Sequence, residues 1–232
     1  MDVARSLLAW LSVPVICFLA LPVYIFRPFN PDNNRLLGWT MARVGRVILG
    51  MKRPLQGAEN MPKDRPVVVI ANHQYNDDLF VMGDLMPPRT VTVGKSALVW
   101  LPGFGLVFWL GGNVMLNRSR SRKAVAVMQA TSDAIIQDNK SLWVFPEGTR
   151  SKGRGVQKFK KGAFYAAVAS GAPIVMVCNA EYRNKAVSWL GKREPVAVRI
   201  LPPVETTGLT TDDVPALIER CHQQMTAAVA SL

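Results

Sequence analysis

An α/β fold, with a central and mostly parallel sheet flanked by helices behind an apolar helical hairpin, is predicted by three features of this 232-residue sequence. Short apolar or β-branched runs alternate with longer helix-compatible stretches, the pattern of strands laid side by side through helical crossovers. The N-terminal region holds an uncharged apolar run followed by an amphipathic stretch. Two polar runs, residues 71–78 and 145–151, each stand directly behind an apolar segment, where the end of a strand presents side chains.

Taken in order, residues 7–26 carry no charge and are bracketed by Arg5 and Arg27. About 20 such residues suffice to cross the hydrocarbon of a bilayer. The run lacks a small-residue cleavage site and exceeds the ~7–15 residues of a signal-peptide core, so it reads as a retained anchor. Pro14 and Pro22 are expected to kink it, which membranes tolerate when freed carbonyls find other partners. Residues 33–52 interleave Leu36, Leu37, Trp39, Met41, Val44, Val47, Ile48 and Leu49 with Arg35, Arg43 and Arg46, which suits a helix lying at an interface. Residues 1–54 are therefore expected to form a membrane-anchoring helical hairpin, either dipping into one leaflet or including one true span. Basic residues on both sides of the apolar run give the positive-inside rule little to work with.

Residues 55–232 are expected to form one domain, with no internal repeat and no low-complexity linker. A proline- and charge-punctuated connection leads to apolar runs at 67–71, 90–93, 114–116, 142–145, 174–177 and 196–201, each read as a strand. Between them, Ala124, Val125, Met128, Thr131, Ser132 and Ile135 recur at helical steps behind a basic start. The tail 212–232 repeats the device with Val214, Leu217, Cys221, Met225 and Val229.

Hydrophobic residues make up 49% of the chain and the mean hydropathy is +0.13, high for a purely soluble enzyme. A net charge of +12 points to an anionic partner, nucleic acid or lipid. Lipid is favoured and nucleic acid is not expected, because the basic residues cluster beside the anchor and the two polar runs, and no zinc finger, helix-turn-helix or aromatic RNA-binding box is present. Three widely spaced cysteines argue against a disulfide framework and for a reducing compartment. With two histidines and no clustered ligands, neither a metal nor another cofactor is expected.

The first polar run, Ala-Asn-His-Gln-Tyr-Asn-Asp-Asp, offers an imidazole, His73, with Asp77 and Asp78 close behind it: a general base and an orienting carboxylate. On an uninterrupted helix Asp77 shares the face of His73 and Asp78 does not; if His73 precedes the helix, that rule is void and the residues leave the pairing open. The second run, Phe-Pro-Glu-Gly-Thr-Arg-Ser, places Gly148 at a turn beside Arg150, whose planar fork of donors matches a phosphate.

In these motifs the chain resembles the bacterial 1-acyl-sn-glycerol-3-phosphate acyltransferases, marked by an Asn-His-four-residues-Asp box and a Phe-Pro-Glu-Gly-Thr-Arg box. The likeness continues through residues 93–102, 112–118, 159–164 and 171–175, in the family's order. It implies a glycerolipid-acyltransferase-like domain behind a two-helix membrane motif, and it assigns the pairing role to Asp78. It further implies that Glu147, Gly148, Thr149 and Arg150, joined by Lys95 and Arg118, bind the acceptor phosphate. The implied reaction moves an acyl chain from an acyl carrier protein or coenzyme A thioester to the 2-hydroxyl of lysophosphatidic acid, among anionic lipids at the cytoplasmic face of the bacterial inner membrane. His73 takes the hydroxyl proton and no acyl-enzyme is needed. Alternatives are another lysolipid acceptor, such as lyso-ornithine lipid, or a non-catalytic basic lipid-binding protein; a hydrolase lacks a serine or cysteine nucleophile beside His73.

The chain departs from the family pattern at Tyr75, Ala97, Met115 and Asn117, where serine, glutamate, phenylalanine and aspartate are common. Trp100, Phe104, Leu106, Phe108 and Trp109 either line an acyl tunnel or pack the core. His222 reads as structural.

Overall fold

The structure is a computed structural model in which residues 3–101, 103–116, 135, 138–182 and 195–232 are described. The helix expected over residues 124–135 lies outside the described residues except for Ile135, which is buried.

The hairpin consists of α1 (Val3–Phe26) and α2 (Asp32–Leu49), and α1 contains both Pro14 and Pro22. Its apolar surface is divided: Ala9, Val13 and Cys17 are buried, while Leu7, Leu11, Val15, Phe18 and Phe26 are exposed. Among the described residues, only α1 is long and apolar enough to cross a membrane. Gly50 ends α2 in the left-handed region at φ 61°, and Met51 N–H closes on the Arg46 carbonyl at 2.9 Å.

The expectation of an interfacial α2 meets a tighter arrangement, because small residues bring its backbone onto the sheet-bearing part. A Cβ at Gly38 would stand 2.6 Å from the Gly83 carbonyl oxygen, and one at Gly45 would stand 2.2 Å from the Phe80 ring. Arg46 adds a two-pronged ion pair to Asp84 at 3.0 and 2.6 Å, and Arg53 joins the same carboxylate at 3.0 Å. The hairpin therefore shares one buried cluster with the helices that follow it, in which Met41 and Leu49 meet Phe80 and Val107.

Among the described residues, seven strands form one sheet: β1 (Leu55–Gln56), β2 (Val68–Ala71), β3 (Thr90–Lys95), β4 (Val114–Leu116), β5 (Ser141–Val144), β6 (Ile174–Asn179) and β7 (Val198–Ile200). Their order is β1-β7-β6-β2-β5-β3-β4, parallel throughout except between β6 and β7. The sequence reading placed six of these strands within two or three residues and missed β1, whose two residues carry no pattern. Among the described residues, helices α3 (Asp78–Met82), α4 (Phe104–Leu110), α5 (Gly162–Ser170) and α6 (Val214–Ala230) accompany the sheet.

The alternation of β2 shows why both faces are covered. Val68 and Ile70 pack with Phe164 of α5 and with Leu217 and Met225 of α6, whereas Val69 and Ala71 face Val81 and Met82 of α3. Each large apolar side chain so buried contributes about 1.5–3 kcal/mol. Val214, Leu217, Cys221 and Met225 are the inward row of α6, as their spacing predicts, with Val229 half-buried. All three cysteines are free and buried, and burial pushes the Cys178 thiol up to about 12.

Candidate active site

Strands β2 and β5 lie side by side and parallel, with Ile70 level with Val144, so the loops leaving them emerge together at one edge of the sheet. Those loops are the two polar runs. Ser151 N–H donates to the His73 carbonyl at 2.7 Å and Lys152 N–H to the Gln74 carbonyl at 3.2 Å, which ties the loops as an extra rung.

His73 precedes α3 and Asp78 is that helix's first residue, so the helical-face argument for Asp77 does not apply. His73 Nδ1 stands 2.7 Å from Asp78 Oδ2. The same oxygen accepts the backbone N–H groups of Gln74 at 2.7 Å and Tyr75 at 3.2 Å, so the imidazole hydrogen belongs on Nδ1 and Nε2 is left with its lone pair. The other oxygen, Oδ1, accepts from Tyr182 Oη at 2.8 Å and Asn179 Nδ2 at 3.1 Å. The Asp78 side chain is 1% exposed, against 22% for His73. Burial first and Asp78 second push the Tyr182 phenol far above its ordinary range, so it serves as a donor. Phe145 stacks beneath the imidazole, with ring centroids 4.1 Å apart.

The other sequence-predicted residues divide. Glu147 is buried, and its two oxygens accept the backbone N–H groups of His73 at 2.7 Å and Gln157 at 3.0 Å; what it touches is the frame of the site. Burial raises its pKa above the usual carboxylate range, opposed by those two N–H groups. Gly148 adopts φ +70°, and a Cβ there would stand 2.8 Å from Lys160 Cε, so glycine admits a lysine across the turn. Arg150 donates from Nη1 to Asn76 Oδ1, bridging the two runs. Thr149 is exposed on the same turn, and Lys95 is exposed at the end of β3, which adjoins β5. Arg118 lies outside the described residues.

Beside this cluster lies an apolar cavity of about 240 Å³ whose lining includes His73, Asp78, Trp10, Met41, Phe104 and Phe108. The aromatic segment therefore divides: Phe104 and Phe108 face the cavity, whereas Trp100, Leu106 and Trp109 are exposed. Sequence reasoning missed Trp10, Gln74, Asn179 and Tyr182. For the last two the informative signal is their place on or just past β6, the strand beside β2, which only the sheet order reveals.

A buried carboxylate fixing the tautomer of a half-exposed imidazole, with an arginine and a lysine over an adjacent turn, can deprotonate a hydroxyl and hold an anion next to an apolar chain. The comparisons agree in kind. The acyltransferase family model matches residues 52–179, more than half of the chain. A 1-acyl-sn-glycerol-3-phosphate acyltransferase of Haemophilus influenzae is 35% identical over 229 residues, 98% of this chain and 95% of that one. The enzyme of that name from Escherichia coli is 34% identical, covering 94% of this chain and 89% of its own, and a human alpha form is 35% identical over 90% of this chain and 75% of its own. The crystal structure of the 1-acyl-sn-glycerophosphate acyltransferase PlsC from Thermotoga maritima shares the fold, with a TM-score of 0.66 at 22% identity over 96% of this chain and 98% of that one. With the family's two boxes closed into one cluster and relatives of a single name spanning nearly its whole length, the chain belongs to the acyltransferase family of the 1-acyl-sn-glycerol-3-phosphate acyltransferases.

Proposed function

We propose that the protein converts lysophosphatidic acid to phosphatidic acid, taking the acyl group from an acyl carrier protein or coenzyme A thioester. The observation that carries this reading is the 2.7 Å contact between His73 Nδ1 and Asp78 Oδ2 at the wall of an apolar cavity. His73 Nε2 takes the proton of the 2-hydroxyl as that oxygen attacks the thioester carbonyl. The new C–O bond forms, the C–S bond breaks, and the departing sulfur receives the proton from the imidazolium. Asp78 stabilises that imidazolium, and such base catalysis supplies about 10²–10⁴-fold.

Arg150 holds the acceptor phosphate at the turn of Gly148, with Thr149, Lys160, Lys95 and Arg118 as further contacts and Glu147 keeping the frame. Residues 1–54 act as the anchor, through the outward apolar face of α1 and the basic residues around the hairpin. This suits a site working on lipids of the bacterial inner membrane from its cytoplasmic side, with anionic lipids around it. The names of the relatives support the acceptor assignment.

The test is mass-spectrometric product analysis of the purified protein and its His73→Ala variant with lysophosphatidic acid and an acyl thioester. Phosphatidic acid from the parent and a loss of about 10²-fold or more in the variant are expected. Turnover of lyso-ornithine lipid in place of lysophosphatidic acid would reassign the acceptor, and the absence of any His73-dependent product would overturn the reading.

A further inference from the structure

We propose that Trp10 of α1 is a positioning residue for the reaction: its indole N–H holds Asp77, which fixes the start of α3 and with it the Asp78 carboxylate that orients His73. The inference rests on the acyl-transfer reading above.

Trp10 Nε1 donates to Asp77 Oδ1 at 2.9 Å, a contact between residues 67 apart in the chain. Its ring packs against buried Phe80 of α3, with centroids 5.1 Å apart and planes at 56°. It also lines the same cavity as His73 and Asp78. Two contacts and a shared cavity wall thus bring one side chain of α1 to the reacting end of the fold.

Helix α3 needs such a hold. At five residues it is far too short to be stable alone, so the position of its first residue depends on contacts from outside. Asp77 stands at that start, and its carbonyl accepts the N–H groups of Phe80 at 2.8 Å and Val81 at 3.1 Å. A shift of Asp77 is a shift of Asp78 one residue on. Indole has a donor and no acceptor, so its hydrogen bond has a fixed sense and direction. On the opposite side of α1, Leu7, Leu11, Val15 and Phe18 are exposed. One face of the helix therefore meets the surroundings while the other grips the site, and displacement of α1 is carried to Asp77. Turnover, and not location alone, depends on how α1 is seated.

The experiment is steady-state kinetics in one mixed-micelle composition, where reaching a membrane plays no part, on the parent, Trp10→Phe, Asp77→Ala and the double variant. Val13→Ala on the buried side of α1 serves as a packing control. Trp10→Phe keeps a ring and loses the N–H, and kcat is expected to fall about three- to tenfold, the rate equivalent of one hydrogen bond, with KM changed less than about twofold. The losses of Trp10→Phe and Asp77→Ala should fail to multiply, because both remove the same contact. Val13→Ala should keep the parent kcat. A Trp10→Phe kcat within about twofold of the parent, multiplicative losses, or an equal loss in Val13→Ala would overturn the proposal. Parent turnover that His73→Ala abolishes keeps these outcomes separate from a failure of the acyl-transfer reading.

Discussion

Tyr182 shows how much of the site is held from a distance. Its hydroxyl reaches Asp78 Oδ1 at 2.8 Å from beyond the end of β6, and the same oxygen takes Asn179 Nδ2 at 3.1 Å. Removing one of the two donors to that oxygen loosens the carboxylate that orients His73, while the Gln74 and Tyr75 N–H groups still hold its other oxygen. Tyr182→Phe is therefore expected to lower kcat about three- to tenfold, with KM nearly unchanged and little loss of thermal stability. Steady-state kinetics with parallel thermal unfolding decides the matter. An unchanged kcat means that the remaining donors suffice; a KM effect alone would place Tyr182 on the substrate. The histidine was legible because a strand end and two following carboxylates are written in one short stretch, whereas the choice of Asp78 over Asp77 came from the family resemblance and not from the spacing. Tyr182 and Asn179 were not legible, since nothing in the residues around them tells that their strand lies beside β2.

Among the elements, α2 is the one whose packing the sequence concealed. Its leucines and arginines read as an interfacial mixture, yet the residues that set its place are Gly38, Ala42 and Gly45, which let the backbone approach α3 and Gly83. Side chains absent from a helix face leave no periodic signal to read. Gly45→Leu drives a side chain into the Phe80 ring and is expected to cost about 1–3 kcal/mol or more, measured as a lowered unfolding midpoint in detergent. A neutral result would mean that α2 lifts off α3 without penalty. The strands were easier to find, because buried parallel strands such as β2 and β6 read as continuous apolar runs. The reversal at β7 was illegible, as pairing direction is set by crossover geometry and not by composition.

At the scale of the whole molecule, an exposed apolar helix face and a net charge of +12 act in concert. The protein is expected to co-sediment with vesicles, more strongly when they contain anionic lipid. Salt should remove part of that binding, since exposed charges are screened beyond about 8 Å at physiological ionic strength while apolar contact is not. Equal binding to zwitterionic and anionic vesicles would deny the charge any part.

The distances along the chain between the parts of the site carry a consequence for biosynthesis. His73 and Asp78 leave the ribosome together, but Glu147, which holds the His73 backbone, follows 74 residues later, and Tyr182 lies 104 residues after Asp78. At about 5–20 residues per second, the imidazole and its carboxylate wait on the order of 5–20 s for their last hydrogen-bond donor to be translated. Helix α1 emerges before any of them. On the reading proposed here, a nascent chain is delivered to its bilayer before it can react, and the reaction is switched on last.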